Sequence, residues 1–153
     1  MLKSRHLEPE DRHRNERINI EMGDWVDGLA KWQCVAHLTF RWEASVWSCE
    51  RVYKKFMRAG RPGLPSMHWV SHFYALEHNP SRDGFHVHAL WCDCLHLQRS
   101  EVWRNWFHRY GRNRIEPVRN KDDVADYVAK YVTKEGAWWD VHLSGQPLLA
   151  LKK

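Results

Sequence analysis

The sequence predicts an α+β domain with a central antiparallel sheet of about five strands and flanking helices. Three observations carry that expectation. Runs rich in β-formers alternate with runs of helical spacing in the order β-α-β-β-α-β-α-β. A cluster of turn formers, Asn79-Pro80-Ser81-Arg82-Asp83-Gly84, joins two strand-like runs as a hairpin. No internal repeat or low-complexity tract interrupts the order.

From Lys3 to Asp24 charges of both signs alternate with few apolar residues, which predicts a loose arm or frayed helix with little core of its own. Residues 1–32 are therefore set apart from a folded unit over 33–153. Gln33 to Phe40 predicts the first strand, and Val46, Cys49, Tyr53, Phe56 and Met57 recur at helical spacing before the stop at Gly60 to Pro65. Met67 to Glu77 and Phe85 to Trp91 predict the hairpin strands. Trp103, Trp106, Phe107 and Tyr110 fall at i, i+3, i+4 and i+7 of a helix closed by Gly111, and this stripe reads as core rather than as a base-stacking surface. Asn113 to Val118 predicts a short strand, Asp122 to Lys134 a helix with acids in its first turn, and Trp138 to Leu143 a last strand. With the helices on one side, the plan is similar to a ferredoxin-like or RRM-like sheet.

A chain of 153 residues has room for one domain with a hydrophobic core. No apolar run approaches the ~20 residues that span a bilayer, so no membrane role is expected. Met1 to His6 leads into charges rather than an apolar core segment, so the expected compartment is the cytoplasm. Cys34, Cys49, Cys92 and Cys94 are then expected as reduced thiols. The net charge of +5 suits a polyanionic partner. Between Arg99 and Lys121 seven Lys/Arg face two acids, which marks Arg104, Arg109, Arg112, Arg114 and Arg119 as a candidate DNA track.

His86-Val87-His88 puts two imidazoles at i and i+2 of a strand, on one face and about 7 Å apart. Glu77 ends the partner strand. If it pairs with His86 or His88 across a turn of about four residues, all three side chains share a face and can hold one divalent ion. A register slip by one would put His78 there instead. Two imidazoles and a carboxylate suit Mn2+ or Mg2+, with Zn2+ and Co2+ as competitors. Cys92, Cys94 and His96 continue the alternation, but Cys92 lies about 13 Å beyond His88 in an extended strand, too far to share an ion. Tyr127 and Tyr131 share a helical face about 6 Å apart, and Lys130 and Lys134 repeat the offset. A phenol needs a metal-polarised phosphate and a nearby cation to attack at neutral pH.

On these residues the sequence resembles the HUH endonucleases, and within them the two-tyrosine replication initiators of rolling-circle phages and plasmids. His37-Leu38-Thr39-Phe40 looks like the first motif, Glu77 with His86-Val87-His88 like the metal-binding second, and Tyr127 to Lys134 like the third. The resemblance implies a ferredoxin-like or RRM-like HUH domain over 33–153 and a metal-dependent nuclease with Mn2+ or Mg2+ as cofactor. It also implies single-stranded DNA at a replication origin as substrate, a covalent 5′-phosphotyrosine adduct, and a free 3′-hydroxyl that primes synthesis. Unwinding would fall to a host helicase. Tyr127 or Tyr131 would attack, with Lys130 and Lys134 near the phosphate. An HUH transposase and a non-catalytic single-stranded nucleic-acid binding module remain as alternatives.

Overall fold

The computed structural model describes residues 9–58, 67–95, 97–132 and 138–144. Its elements are α1 (Pro9–Leu29), β1 (Cys34–Leu38), α2 (Val46–Met57), a 3-10 turn at Met67–Trp69, β2 (Ser71–His78), β3 (Phe85–Cys92), α3 (Arg99–Arg109), β4 (Asn113–Pro117), α4 (Lys121–Val132) and β5 (Trp138–His142). The five strands form one sheet in the order β4-β1-β3-β2-β5, antiparallel throughout. The expected fold class is the observed one. Its first four strands with α2 and α3 make the split β-α-β-β-α-β plan, and β5 extends the sheet beyond β2.

Strand alternation gives the sheet two unlike faces. Cys34, Ala36 and Leu38 of β1, Tyr74 and Leu76 of β2, and Val87, Ala89 and Trp91 of β3 point to one side. There they pack with Tyr53 and Phe56 of α2 and Val102 and Trp106 of α3. Ser45 caps α2 by accepting a hydrogen bond from the Ser48 amide, which fixes where that helix leaves the sheet. The Trp106 indole donates to the Thr39 carbonyl at 2.9 Å, so this fully buried ring leaves no unpaired N–H.

The other face carries Phe73, Ala75, Leu90 and Cys92 beneath Val26 of α1 and Val124, Val128 and Tyr131 of α4. This second layer corrects one expectation: helices lie on both faces, because α1 and α4 cover the side that α2 and α3 leave open. Of the two forms expected for Lys3 to Asp24, a loose arm or a frayed helix, α1 takes the helical one, a 21-residue helix whose burial centres on Gly23 and, just beyond that span, Val26. A Cβ at Gly23 would stand 3.0 Å from the Ala125 carbonyl oxygen, so glycine lets α1 and α4 approach closely. The apolar signal was thin because those few positions do the packing while most of the other α1 residues whose side chains are described are exposed.

The hairpin loop spans 79–84, longer than the expected turn of about four residues, yet it preserves the register that matters. Glu77 pairs with His86 and His78 with Phe85. The Asn79 amide donates to the Gly84 carbonyl, and Asn79 Nδ2 donates to the Asp83 carbonyl. Gly84 closes the loop at φ 96°, where an L side chain is strained.

Candidate metal centre and tyrosine helix

His37, His86 and His88 converge on the α1/α4 side of the sheet, each offering a nitrogen within 4.8 Å of the others. Register explains the convergence. His37 of β1 is the cross-strand partner of His88, and Glu77 of β2 is the partner of His86, so three neighbouring strands bring the three histidines and Glu77 to the same face. His86 and His88 are buried, and the His37 and His88 rings stack with centroids 4.4 Å apart. Glu77 Oε2 lies 3.0 Å from His88 Nε2 and 3.5 Å from His86 Nε2.

The hydrogen bonds orient the His86 ring. Asn79 spends its Nδ2 on the Asp83 carbonyl, so its Oδ1 faces His86 Nδ1 at 2.9 Å as an acceptor. His86 therefore carries its proton on Nδ1 and turns the Nε2 lone pair toward the cluster, the usual arrangement for an oriented metal-binding imidazole. That lone pair lies 2.8 Å from His88 Nε2. His86 and Glu77 both present lone pairs to His88 Nε2, so they can hold one proton or one cation among them. His37 Nε2 is buried without a hydrogen-bond partner among the described residues.

Burial together with the neighbouring His37 and His86 pushes the His88 imidazole down to about 3, against an opposing pull from Glu77. His37 is lowered first by burial and then by Arg114. Both rings are neutral near pH 7, the form that binds metal ions. Three imidazoles, one of them with an orphaned buried nitrogen, and a carboxylate beside two of them fit a divalent ion.

Tyr131 of α4 reaches this cluster. Its hydroxyl is 3.3 Å from both His88 Nδ1 and His88 Nε2, and its ring stacks on His88 at 4.4 Å and 24°. An oxygen equidistant from both nitrogens lies over the imidazole rather than in its plane. Burial, then the charge of Glu77, raises the Tyr131 phenol well above its ordinary value. Tyr127 sits 5.1 Å from Tyr131 between ring centroids, its hydroxyl buried and unpaired among the described residues. Burial and the Tyr131 phenol raise its proton affinity too.

Lys130 is exposed, with Nζ 5.3 Å from the Tyr131 ring centroid. It lines a cleft of about 480 Å³ with Thr39, Glu77, Arg82 and the three histidines. Lys134 and His96 lie outside the described residues. Cys92 and Cys94 are buried thiols apart from the cluster, and Cys94 Sγ lies 3.5 Å from Cys34 Sγ.

The candidate basic track divides. Arg114 is the cross-strand partner of His37 and belongs to the site's surroundings. The Arg112 carbonyl accepts from the Thr39 amide and hydroxyl at the cleft's edge. Arg104 and Arg109 lie on α3, across the sheet from the histidines. Arg119 lines a different cleft with Asp27, Lys31 and Trp32. Sequence reasoning did not assign His37 as a ligand or Asn79 as the group that orients His86. The alternation of Val35, His37 and Thr39 held the first signal, and it becomes readable only once β1 is known to pair with β3.

No protein-family model, curated protein sequence or solved structure matches the chain. Among the described residues, no helix is long and apolar enough to cross a membrane.

Proposed function

We propose that the chain is a divalent-metal-dependent endonuclease that nicks and rejoins single-stranded DNA through a tyrosine nucleophile, in the manner of the HUH replication initiators. The observation that supports this best is the Tyr131 hydroxyl lying 3.3 Å from His88 in a cluster of three imidazoles and a carboxylate. His37, Glu77, His86 and His88 would hold the ion. Once bound, it would supply positive charge that counters Glu77, polarises a phosphate oxygen and lowers the proton affinity of the nearby phenol. A set dominated by imidazole favours Mn2+ over Mg2+, which prefers oxygen ligands.

The chain's own residues do the rest. Asn79 orients His86, and the close cross-strand packing of His37 on His88 holds both rings in place. Tyr131 Oη attacks phosphorus. The new bond is phosphorus to the phenolic oxygen, and the bond that breaks is phosphorus to the 3′ oxygen. That oxygen leaves as a hydroxyl, taking up a proton equivalent to the one the phenol gives up. Lys130 at the cleft mouth steadies the phosphate, and Arg114 guides the strand. Tyr127, one turn away, supplies a second phenol for a later junction, which would let one protein start and end a rolling-circle round with a host helicase.

The test is incubation with a 3′-labelled, centrally randomised single-stranded DNA pool in Mn2+. Metal-dependent cleavage that leaves protein-linked DNA is expected, and it should vanish in His86→Ala and His88→Ala. Cleavage that persists in both variants, or in chelator, would refute the reading.

A further inference from the structure

The aromatic stripe of α3 is not all core. Trp106 is fully buried and Tyr110 nearly so, but Trp103 is 39% exposed and Phe107 half-buried. Trp103 stacks on Phe107 with ring centroids 4.8 Å apart and planes within 9°. The Arg41 guanidinium lies 5.5 Å from the Phe107 centroid. Phe107 stacks against one face of the indole, and the ring is still open to solvent. The ring is also held in place: its Nε1 donates to the Asn113 carbonyl at 3.1 Å, and Asn113 Nδ2 donates back to the Trp103 carbonyl at 3.0 Å. An indole tied to the neighbouring strand by its ring N–H, on a backbone tied back by Asn113, loses little further freedom when a flat ligand settles on it.

Its position gives the surface a direction. Asn113 begins β4, the edge strand, and the next residue, Arg114, is the cross-strand partner of His37. One strand step of about 3.3 Å and one strand spacing of about 4.8 Å separate Asn113 from His37. Arg104 and Arg109 are exposed on the same helix as Trp103, and Arg112 and Arg114 are exposed just before and within β4. Of the two acids in the same stretch, Glu116 lies 3.7 Å from Arg114. A flat, held aromatic face within a field of arginines matches a flexible polyanion whose bases are free to stack.

We infer that Trp103, backed by Phe107, is a base-stacking platform for single-stranded DNA, and that the strand turns over the β4 edge past Arg114 toward His37, His86 and His88. The direction of the strand rests on the proposed nuclease reading; the platform itself does not. Arg104 and Arg109, across the sheet from the histidines, then belong to the approach rather than to the reacting phosphate.

The test is fluorescence anisotropy of the full chain with a labelled 16-nucleotide single-stranded DNA in EDTA, where no cleavage can occur. Trp103→Ala should weaken binding about tenfold, as the loss of one stacked base predicts, whereas Trp103→Phe should stay close to wild type. Trp47→Ala is the control. It removes a more exposed indole that packs on Trp138 of β5, at the opposite edge, and should change nothing. Wild-type affinity in folded Trp103→Ala, or a loss no larger than that of Trp47→Ala, would overturn the platform. If Trp103→Ala fails to fold by circular dichroism, photocrosslinking of 5-iodouracil DNA to the wild-type chain decides. Crosslinks at Trp103 or Phe107 support the platform, and crosslinks confined elsewhere refute it. Because binding is read in chelator, a failed cleavage assay leaves this result standing, and the reverse also holds.

Discussion

Strand β3 shows two kinds of protein interior on the same eight residues. On one side Val87, Ala89 and Trp91 enter an apolar layer with α2 and α3, closed by aromatic edge-to-face contacts such as Phe56 on Trp106 at 5.1 Å and 87°. On the other side His86 and His88 are also buried, but among donors that outnumber the protons available to them. The first face gains from every group it hides. The second buries polar rings whose desolvation is only partly offset by hydrogen bonds, so packing alone does not account for it.

Disrupting the apolar face should produce the largest effect. Trp106→Ala should cost about 3–5 kcal/mol in urea unfolding, because a fully buried ring leaves a cavity the sheet cannot close. His88→Ala, measured in chelator, should cost no more than about 1–2 kcal/mol, since lost packing is offset by burying one fewer polar ring. Equal losses would mean that both faces are structural.

Metal affinity sharpens the same contrast. By calorimetry with Mn2+, His86→Ala and His88→Ala should lose more than about 100-fold, while Asn79→Ala should lose roughly 10-fold because it acts through His86. An Asn79→Ala loss as large as that of a ligand would make Asn79 a ligand itself.

A titration extends the comparison to an imidazole on the apolar side. Burial pushes His72 down to about 3, and its Nδ1 lies 3.1 Å from the Tyr53 hydroxyl. Its pKa is depressed on folding, so the unfolded chain takes the proton first. Its contribution is complete above pH 6.5 and is lost as pH falls toward 3, amounting to about 2 kcal/mol at pH 5. His72→Gln does not titrate, so its urea midpoint should fall less between pH 7 and pH 5. The remaining slope would belong to His37 and His88, which are lowered in the same sense.

The smallest expected effect concerns the hairpin. Gly84→Ala forces a side chain into φ 96° with its Cβ 2.9 Å from the Ala44 amide nitrogen. It should cost about 1 kcal/mol or more and shift the ends of β2 and β3 that carry Glu77 and His86. Unchanged stability with weakened Mn2+ binding would show that the loop tunes the site without bearing on the fold.

The apolar face was the more legible of the two in the sequence. The positions Cys49, Tyr53, Phe56 and Met57 that mark α2 by spacing are the ones it buries, and the turn formers at 79–84 marked the hairpin while leaving open the register that pairs Glu77 with His86. The polar face was read only in part. Period-2 spacing revealed His86 and His88 because they share a strand, whereas His37 joins them through a non-local pairing that no local pattern encodes. The packing of α1 was hard to read for a related reason: it goes through a glycine and a single fully buried valine rather than along a broad apolar stripe. The α3 stripe was misread in the opposite direction. Its spacing was helical throughout, yet only Trp106 and Tyr110 turned inward.

The central claim is that the polar face holds a nucleophile and that this nucleophile is Tyr131. Mass spectrometry of protein-linked DNA trapped in Mn2+ locates the linkage directly. The account predicts the adduct on Tyr131, a reduced yield redirected to Tyr127 in Tyr131→Phe, and none in the doubly substituted Tyr127→Phe, Tyr131→Phe chain. An adduct on a residue outside α4, or undiminished cleavage by the double variant, would contradict it.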